Sequence, residues 1–221
     1  MWRVNQINDT LQMKGLKMRR LESSDLEAMR LPRRFWQSNF ESIPNGSNKQ
    51  AVARYLTSIR EMRREGAGLL LWGSNGSGKT SIGSLIIKVA RSHGFSALFI
   101  NSASIKSIVV SKEMYDTESG LTLWKRAQTV DFLLLDDLGK GSQDSQGFGE
   151  RLIDDLIRSR YAEKRCTLIT TNILKRDLLE FIKPSTLHIL KGSSAQLKVD
   201  SHDFRVSEGE AIRIMINGGD Q

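Results

Sequence analysis

The chain has 221 residues and a formal net charge of +8 at pH 7, with 39% hydrophobic and 26% charged residues. This balance is ordinary for a soluble globular domain, and no apolar run approaches the ~18 residues that a membrane span needs. The single cysteine, Cys166, excludes an internal disulfide framework, and its apolar setting predicts a buried strand residue. Because the amino terminus lacks the apolar core of a signal peptide, we expect a cytoplasmic protein.

The positive charge is concentrated near the amino terminus. Residues 1–66 hold 13 lysines and arginines against 7 acidic residues, so they carry +6 of the total +8. Basic clusters lie at Lys17–Arg20, Arg33–Arg34 and Arg60–Arg64. Such clusters can contact the phosphates of a nucleic acid, although solvated helix faces have the same composition.

The first 31 residues lack a firm hydrophobic period. We expect residues 1–31 to form a mobile or partner-binding basic arm, with a short helix around residues 25–30, ahead of a main domain over residues 32–221. The cluster Pro44–Ser47 predicts a turn. From Asn48 to Glu65 apolar residues recur at helical spacing, which predicts an amphipathic helix.

An apolar run at Leu69–Trp72 predicts a strand that leads into the glycine-rich stretch Gly73–Thr80. This stretch has the pattern G-x-x-x-x-G-K-[ST], in which glycines let backbone N–H groups curl around phosphates at the start of a helix. Lys79 would reach the β- and γ-phosphates of ATP, and the Thr80 hydroxyl would bind Mg²⁺. A flexible Gly/Ser turn is the alternative, which the helical spacing of Ser81–Arg91 disfavours. The candidate nucleotide-binding residues are Gly73, Ser74, Asn75, Gly76, Ser77, Gly78, Lys79, Thr80 and Ser81.

Strand and helix patterns alternate through the rest of the chain. We predict strands at Ser96–Ile100, Val130–Asp137, Thr167–Thr170, Gln196–Val199 and Ala211–Ile216, and helices at Ser102–Glu113, Leu121–Ala127, Glu150–Arg165 and Arg176–Ile182. The order implies an α/β fold with a parallel sheet sandwiched by helices and the ligand at the carboxyl ends of the strands. Since the remainder after Asn172 is short, we expect no large helical lid.

Polar side chains follow two of these predicted strands. Asp136 and Asp137 end one strand, where Asp136 would hold Mg²⁺ through water and Asp137 would orient or deprotonate the attacking water. Asn172 follows the next strand and could sense the γ-phosphate, or it could form an Asx-turn or helix cap. Exposed strand-end acids are the alternative for the aspartate pair. The Asp137 side chain is one methylene shorter than a glutamate at this position would be, which moves its carboxylate back. Because positioning the attacking water is geometrically demanding, we expect slow turnover.

Two further groups of side chains have open interpretations. Arg158 and Arg160 project from the helix before the strand Thr167–Thr170, where they would complete a neighbour's nucleotide site or be solvated. Phe35, Trp36 and Phe40 would flank the adenine or pack against the domain.

The motifs in combination resemble the DnaC/IstB branch of AAA+ ATPases, which includes replicative helicase loaders and transposition helper ATPases. The resemblance covers roughly residues 31–205 and is carried by Leu31–Phe40, Gly73–Thr80, Phe132–Gly139, Ile157–Tyr161, Leu168–Asn172 and His202–Arg205. It implies a P-loop NTPase of AAA+ type with a reduced or absent helical lid. It also implies an ATP-dependent switch that self-associates into a ring or filament and binds a replicative DNA helicase and single-stranded DNA.

The resemblance also bears on two arginine roles. In this branch an arginine from one subunit completes the neighbour's site, but the matching run here is Ser185–Leu187, with Thr186 in the arginine's place. Stimulation in trans is then lost or supplied by Arg158, Arg160 or Arg176. Arg205 matches an arginine that the resemblance implies as a second γ-phosphate sensor.

Three alternatives to a helicase-loader ATPase stay open. A transposition helper of the same fold would bind duplex DNA and a transposase. A nucleotide kinase would share the P-loop, although no arginine-rich lid stands between the later strands. An ATP-binding adaptor without turnover is consistent with Thr186.

Overall fold

The computed structural model describes residues 19–44, 46–110, 122–139, 147–173, 177 and 182–200. The helices within these residues are α1 (Ser23–Ala28), α2 (Ser47–Thr57), α3 (Ile59–Glu65), α4 (Lys79–Ser92), α5 (Ile105–Val110), α6 (Leu123–Thr129), α7 (Phe148–Ala162) and α8 (Pro184–Ser193). The strands are β1 (Gly68–Trp72), β2 (Ala97–Asn101), β3 (Phe132–Leu138), β4 (Cys166–Thr171) and β5 (Ser194–Lys198).

The strands form one parallel sheet in the order β2-β3-β4-β1-β5. Side chains alternate across it: Leu69 and Leu71 pack into the core on one face with α4, and Leu70 packs into the core on the other face with α7. Both faces are therefore buried, as a parallel sheet covered by helices requires. The predicted α/β sandwich is confirmed.

The sheet order decides where polar side chains meet. Strand β4 lies between β1 and β3, with Leu69 beside Leu168 and Leu134 beside Leu168 on the other side. The loops that follow β1, β3 and β4 consequently leave the same edge of the sheet at adjacent positions.

Residues 19–31 pack against this core. Leu21, Leu26, Met29 and Leu31 belong to the same buried cluster as α4, and the Met29 carbonyl accepts a hydrogen bond of 2.8 Å from the Phe99 N–H of the edge strand β2. The packed domain therefore includes residues on the amino-terminal side of the expected boundary at residue 31. Residues 1–18 of the expected arm lie outside the described residues.

The expected helix at Asn48–Glu65 is two helices that meet at Ser58, whose φ and ψ of −104° and 22° leave the helical region. The bend allows Leu56 at the end of α2 and Ile59 at the start of α3 both to be buried. Helix α3 ends at Gly66 in the left-handed conformation, as is usual after a helix.

The region after β4 differs from expectation. Helix α8 begins at Pro184, which suits a first helical position because no N–H is needed there. It occupies residues for which neither a helix nor a strand was predicted, and β5 begins two residues before the predicted strand. Most of the predicted helix Arg176–Ile182, the predicted strand Ala211–Ile216 and the question of a lid lie outside the described residues. In the part of the chain that the structure describes, no helix is long and apolar enough to cross a membrane.

Candidate nucleotide site

The stretch Gly73–Thr80 forms a loop between β1 and the start of α4 at Lys79. Gly78 has φ +92°, a conformation that side chains rarely adopt, directly before the first helical residue. Gly73 has φ +146°, and a Cβ there would lie 2.3 Å from the carbonyl oxygen of Val199. Glycine is thus required at both ends of the loop, for conformation at Gly78 and also for space at Gly73.

The Lys79 side chain is 6% exposed and lies back across the loop. Its ammonium donates hydrogen bonds to the carbonyl oxygens of Gly73 (3.0 Å) and Ser74 (2.6 Å) and to the Ser77 hydroxyl (3.3 Å). The cation is therefore held within the glycine-rich loop, beside the N–H groups that open α4.

Asp136 joins the loop to the two central strands. Its Oδ1 accepts hydrogen bonds from the hydroxyls of Thr80 (2.8 Å) and Thr170 (2.6 Å). Burial raises the pKa of Asp136, and these two hydrogen bonds act against that rise. The result is a buried carboxylate next to the hydroxyl of the glycine-rich loop, the two oxygen types that Mg²⁺ prefers.

Asp137 follows at an irregularity in the sheet. The register between β3 and β4 shifts between Leu135 and Leu138, and Asp137 has a left-handed φ of 58°. Its N–H donates to the Thr170 hydroxyl (2.8 Å), and its carbonyl accepts from the Ser102 hydroxyl (2.8 Å). The bulge turns two consecutive carboxylates toward the same edge, which a regular strand would place on opposite faces.

Asn172 lies beside this bulge, one residue after β4. Its Nδ2 donates to Oδ1 of Asp137 over 2.7 Å. The two side chains are therefore in direct contact at the site edge. Their predicted roles toward the γ-phosphate and the attacking water stay predictions, and the alternative of a helix cap for residues 174–181 lies mostly outside the described residues.

One cavity of about 560 Å³ connects these groups. The loop, Asp136, Asp137, Thr170 and Asn172 line one side of it, and residues of the segment 34–44 line the other. The first side carries the Lys79 ammonium and the glycine-rich loop, which are groups that bind phosphates, and the second carries both apolar and amide side chains. The cavity lies at the carboxyl ends of β1, β3 and β4, as the sheet order predicts.

Comparison with known proteins assigns the family. The sequence matches the family of IstB-like ATP binding proteins over residues 2–180, most of its length. The chain belongs to this family. Membership confirms the predicted DnaC/IstB family and, with it, the nucleotide ATP as the ligand of this family.

A Sinorhizobium fredii protein described as an insertion sequence ATP-binding protein is 28% identical over 156 residues, which cover 70% of this chain and 50% of that protein. This IstB-like chain therefore spans about half the length of the curated relative that it matches.

Solved structures agree on the fold. The DnaC helicase loader is similar with a TM-score of 0.64 at 22% identity, over 76% of this chain and all of that one. DnaI has a TM-score of 0.62 at 18% identity, over 78% and 93% of the two chains. The initiator DnaA bound to AMPPCP and single-stranded DNA has a TM-score of 0.59 at 15% identity, over 77% and 51%. At these identities the likeness shows the fold, which is the predicted AAA+ type.

The arginines of α7 do not behave alike. Arg160 is fully buried, and its guanidinium donates to the carbonyls of Ala127, Val130 and Cys166 at 2.7 to 2.9 Å. Arg160 was expected to complete a neighbour's nucleotide site or to be solvated. Both expectations are wrong, because its guanidinium is buried and hydrogen-bonded to carbonyls of its own chain.

Arg158 remains 39% exposed, and it donates to the Asp154 carboxylate and to the Ser185 hydroxyl. Thr186 is buried and donates to the same carboxylate. The position where related proteins were expected to carry an arginine therefore faces its own chain here. Arg176 and Arg205 lie outside the described residues.

The aromatic residues near the cavity mostly pack. Phe35 lines the cavity, but its ring also stacks on Phe99 with centroids 6.5 Å apart. Trp36 donates from its indole nitrogen to the Leu31 carbonyl (2.8 Å), and Trp36 and Phe40 pack against the core cluster. Only Phe35 of the three keeps a face on the cavity.

The basic clusters are partly used within the chain. Arg19 forms an ion pair with Asp25 (2.6 Å), and Arg63 forms one with Asp131 (2.6 Å). Arg20 and Arg60 are exposed, so their contact with a nucleic acid stays a prediction.

Sequence reasoning did not single out Thr170 or Ser102 as site residues. Thr170 is a strand residue of ordinary composition, and its role depends on the register that brings β4 beside Asp136. The available signal was its position two residues before Asn172 on a strand that ends at the site edge.

Proposed function

We propose that this chain binds ATP with Mg²⁺ in the cavity described above and hydrolyses it slowly. The observation that carries the proposal is the hydrogen bonding at Asp136, which holds the Thr80 hydroxyl 2.8 Å from a buried strand-end carboxylate. Thr80 would bind the metal ion directly and Asp136 would hold it through water, while Mg²⁺ neutralises charge on the phosphates when bound.

The remaining groups have separate parts in the proposed reaction. The Lys79 ammonium exchanges its loop carbonyls for β- and γ-phosphate oxygens, and the N–H groups of the loop bind the same phosphates. Asp137 and Asn172 orient the attacking water, and Asp137 accepts its proton. Because the Asp137 side chain is short and fixed by Asn172 at 2.7 Å, water is positioned less well than by a longer carboxylate, and turnover is slow.

We further propose that ATP controls binding to a replicative DNA helicase and to single-stranded DNA, with self-association into a ring or filament. Support comes from the motif resemblance to helicase loaders and from the structural likeness to the DnaC helicase loader across its full chain. The proposal includes Arg205 as a second γ-phosphate sensor, on the motif resemblance alone.

A transposition helper is the second candidate. Its support is specific: the family is that of IstB-like ATP binding proteins, and the Sinorhizobium fredii relative is described as an insertion sequence ATP-binding protein. In this function the chain would bind duplex DNA and a transposase.

Nucleotide binding and turnover test the first part of the proposal. We expect Mg²⁺-dependent ATP hydrolysis by the wild type, weaker ATP binding by Lys79→Ala, and retained binding with about 100-fold slower hydrolysis by Asp137→Asn. Asparagine tolerates the left-handed backbone at residue 137, so this variant keeps the loop geometry. Tight binding without any turnover in the wild type would instead favour an ATP-binding adaptor, and phosphate transfer to a nucleoside monophosphate would favour a kinase.

Partner binding tests the second part. Asp137→Asn with ATP holds the bound state, so it is the variant to use in pull-downs with the replicative helicase of the encoding organism and in competition between single-stranded and duplex DNA. Capture of the helicase and preference for single strands support the loader. Preference for duplex DNA and capture of a transposase support the transposition helper.

A further inference from the structure

Lys88 is a buried cation on α4, the helix that begins at the phosphate loop. Its side chain is 3% exposed, and its Nζ donates hydrogen bonds to the backbone carbonyls of Trp36 (2.8 Å) and Ser38 (2.5 Å). Burial lowers the pKa of Lys88 to about 8, so at pH 7 the group is still an ammonium and both bonds are charge-assisted.

The two carbonyls belong to the segment that lines the far side of the cavity from the phosphate loop. Gln37 lies between them, is exposed, and lines the cavity together with Ser38 and Asn39. The backbone on each side of Gln37 is therefore tied to α4. One helix thus holds the phosphate loop at its first residue and the opposite wall through Lys88.

The segment around Gln37 is also held by hydrogen bonds of its own on both sides. Asn39 Oδ1 accepts bonds of 2.9 Å from both the N–H and the hydroxyl of Ser42, which closes a turn. Upstream, the Trp36 indole is anchored on the Leu31 carbonyl. The stretch between these two anchors is the part that Lys88 fixes.

A buried lysine is a costly way to fill space, because an apolar side chain of similar volume packs without the desolvation of a charge. The two hydrogen bonds to backbone carbonyls are what the charged side chain provides and an apolar side chain would not. We infer that Lys88 is a positioning residue for nucleotide binding. It holds the cavity wall around Gln37 at a set distance from the phosphate loop, and this wall then contacts the base of the nucleotide. This inference rests on the proposed ATP site.

A comparison of two ligands separates this role from a general structural one. Lys88→Met keeps the volume and removes both hydrogen bonds. We expect its dissociation constant for MgATP to rise about 10-fold or more, while that for Mg²⁺-tripolyphosphate, which lacks a base, changes less than about 2-fold. Lys125→Met, at an exposed position of α6, removes the same charge and is expected to change neither constant. Lys88→Arg, which keeps donors for both carbonyls, is expected to restore part of the ATP affinity.

Other outcomes overturn the inference. Equal ATP affinity in Lys88→Met and the wild type, or a parallel loss for both ligands, would show that Lys88 supports only the fold. If Lys88→Met does not fold, Gln37→Ala decides, since Gln37 is exposed: ATP affinity should fall several-fold with tripolyphosphate binding unchanged, and unchanged ATP affinity contradicts the inference. Equal affinity of the wild type for MgATP and for Mg²⁺-tripolyphosphate would also contradict the inference, because the base would then add nothing to binding. A wild type that binds neither ligand would contradict the proposed function itself.

Discussion

Strand β3 has aspartates at both ends, and the two ends treat them in opposite ways. Before the strand, Asp131 accepts hydrogen bonds from Arg63 (2.6 Å), Arg165 (2.8 Å) and the Ser96 hydroxyl (2.8 Å). At the other end, Asp136 accepts from the neutral hydroxyls of Thr80 and Thr170. Burial alone raises the pKa of both carboxylates, but at Asp131 the bonds from Arg63 and Ser96 outweigh it and lower the pKa, whereas the pKa of Asp136 stays raised.

The difference assigns a structural role to the aspartate at the amino end of β3 and a ligand-binding role to the aspartate at its carboxyl end. Arginines of the same chain neutralise Asp131, which leaves little charge for a ligand, and the nearby Arg160 binds the carbonyls that surround the amino ends of β3 and β4. Hydroxyls satisfy the geometry of Asp136 and leave its charge available to a cation. The amino-end edge is therefore a closed network, and the carboxyl-end edge is prepared for a metal ion and phosphates.

The largest effect on the closed network is expected from Arg160→Met. Burial lowers the pKa of Arg160 to about 9, and removing the side chain leaves three buried carbonyls without their donor. We expect a loss of about 3–5 kcal/mol in the free energy of unfolding, measured by urea denaturation. Arg158→Met, two residues away and half-exposed, should cost less than about 1 kcal/mol. Similar losses in the two variants would contradict the structural role of Arg160.

At the carboxyl end of β3, Asp136→Asn should strongly slow ATP hydrolysis and leave the stability of the fold unchanged. Both hydroxyls donate to the same oxygen, Oδ1, so the amide oxygen of asparagine can keep both bonds while the charge is lost. We expect Mg²⁺-dependent hydrolysis to fall about 100-fold or more with little change in the melting temperature. Hydrolysis near the wild-type rate would exclude Asp136 from the metal site.

Asp131→Asn should have the reverse pattern. It weakens the ion pairs with Arg63 and Arg165, and we expect a loss of about 1–3 kcal/mol in the free energy of unfolding at pH 7 with ATP binding unchanged. Because the folded pKa of Asp131 is lowered, its stabilisation is present above the ordinary carboxyl pKa of about 4 and is lost as the pH falls through the lowered value. The stability gap between variant and wild type should therefore narrow below about pH 4. A gap that widens toward acid would contradict this assignment.

The smallest of these effects is expected from Thr170→Val. The substitution keeps the shape of the side chain and removes the donor to Asp136 and the acceptor of the Asp137 N–H. We expect hydrolysis to slow about 5- to 10-fold, since the bulge holds the carboxylates less firmly. Thr171→Val is the matched control, because the Thr171 hydroxyl donates to the Leu138 carbonyl instead, and it should lower stability without a specific loss of turnover.

Local patterns predicted much of this molecule. The glycines and lysine of Gly73–Thr80, the apolar strand before Asp136 and the alternation of strand and helix were legible because each depends on neighbours in sequence. Because parallel strands end at the same edge of their sheet, the common edge of the site was predictable, whereas the strand order that puts β4 between β1 and β3 was not.

Local sequence patterns are enough to predict the phosphate loop, the strand-end carboxylates and the parallel sheet, because glycine conformation and hydrophobic period are local properties. Four features become visible only in the folded chain: Thr170 binds Asp136, Arg160 is interior, residues 19–31 pack against the core, and Lys88 ties residues 36–38 to α4. Each of these depends on contacts between groups that mostly lie far apart in sequence. Such contacts depend on strand register and helix packing, which the pattern of either partner alone does not encode.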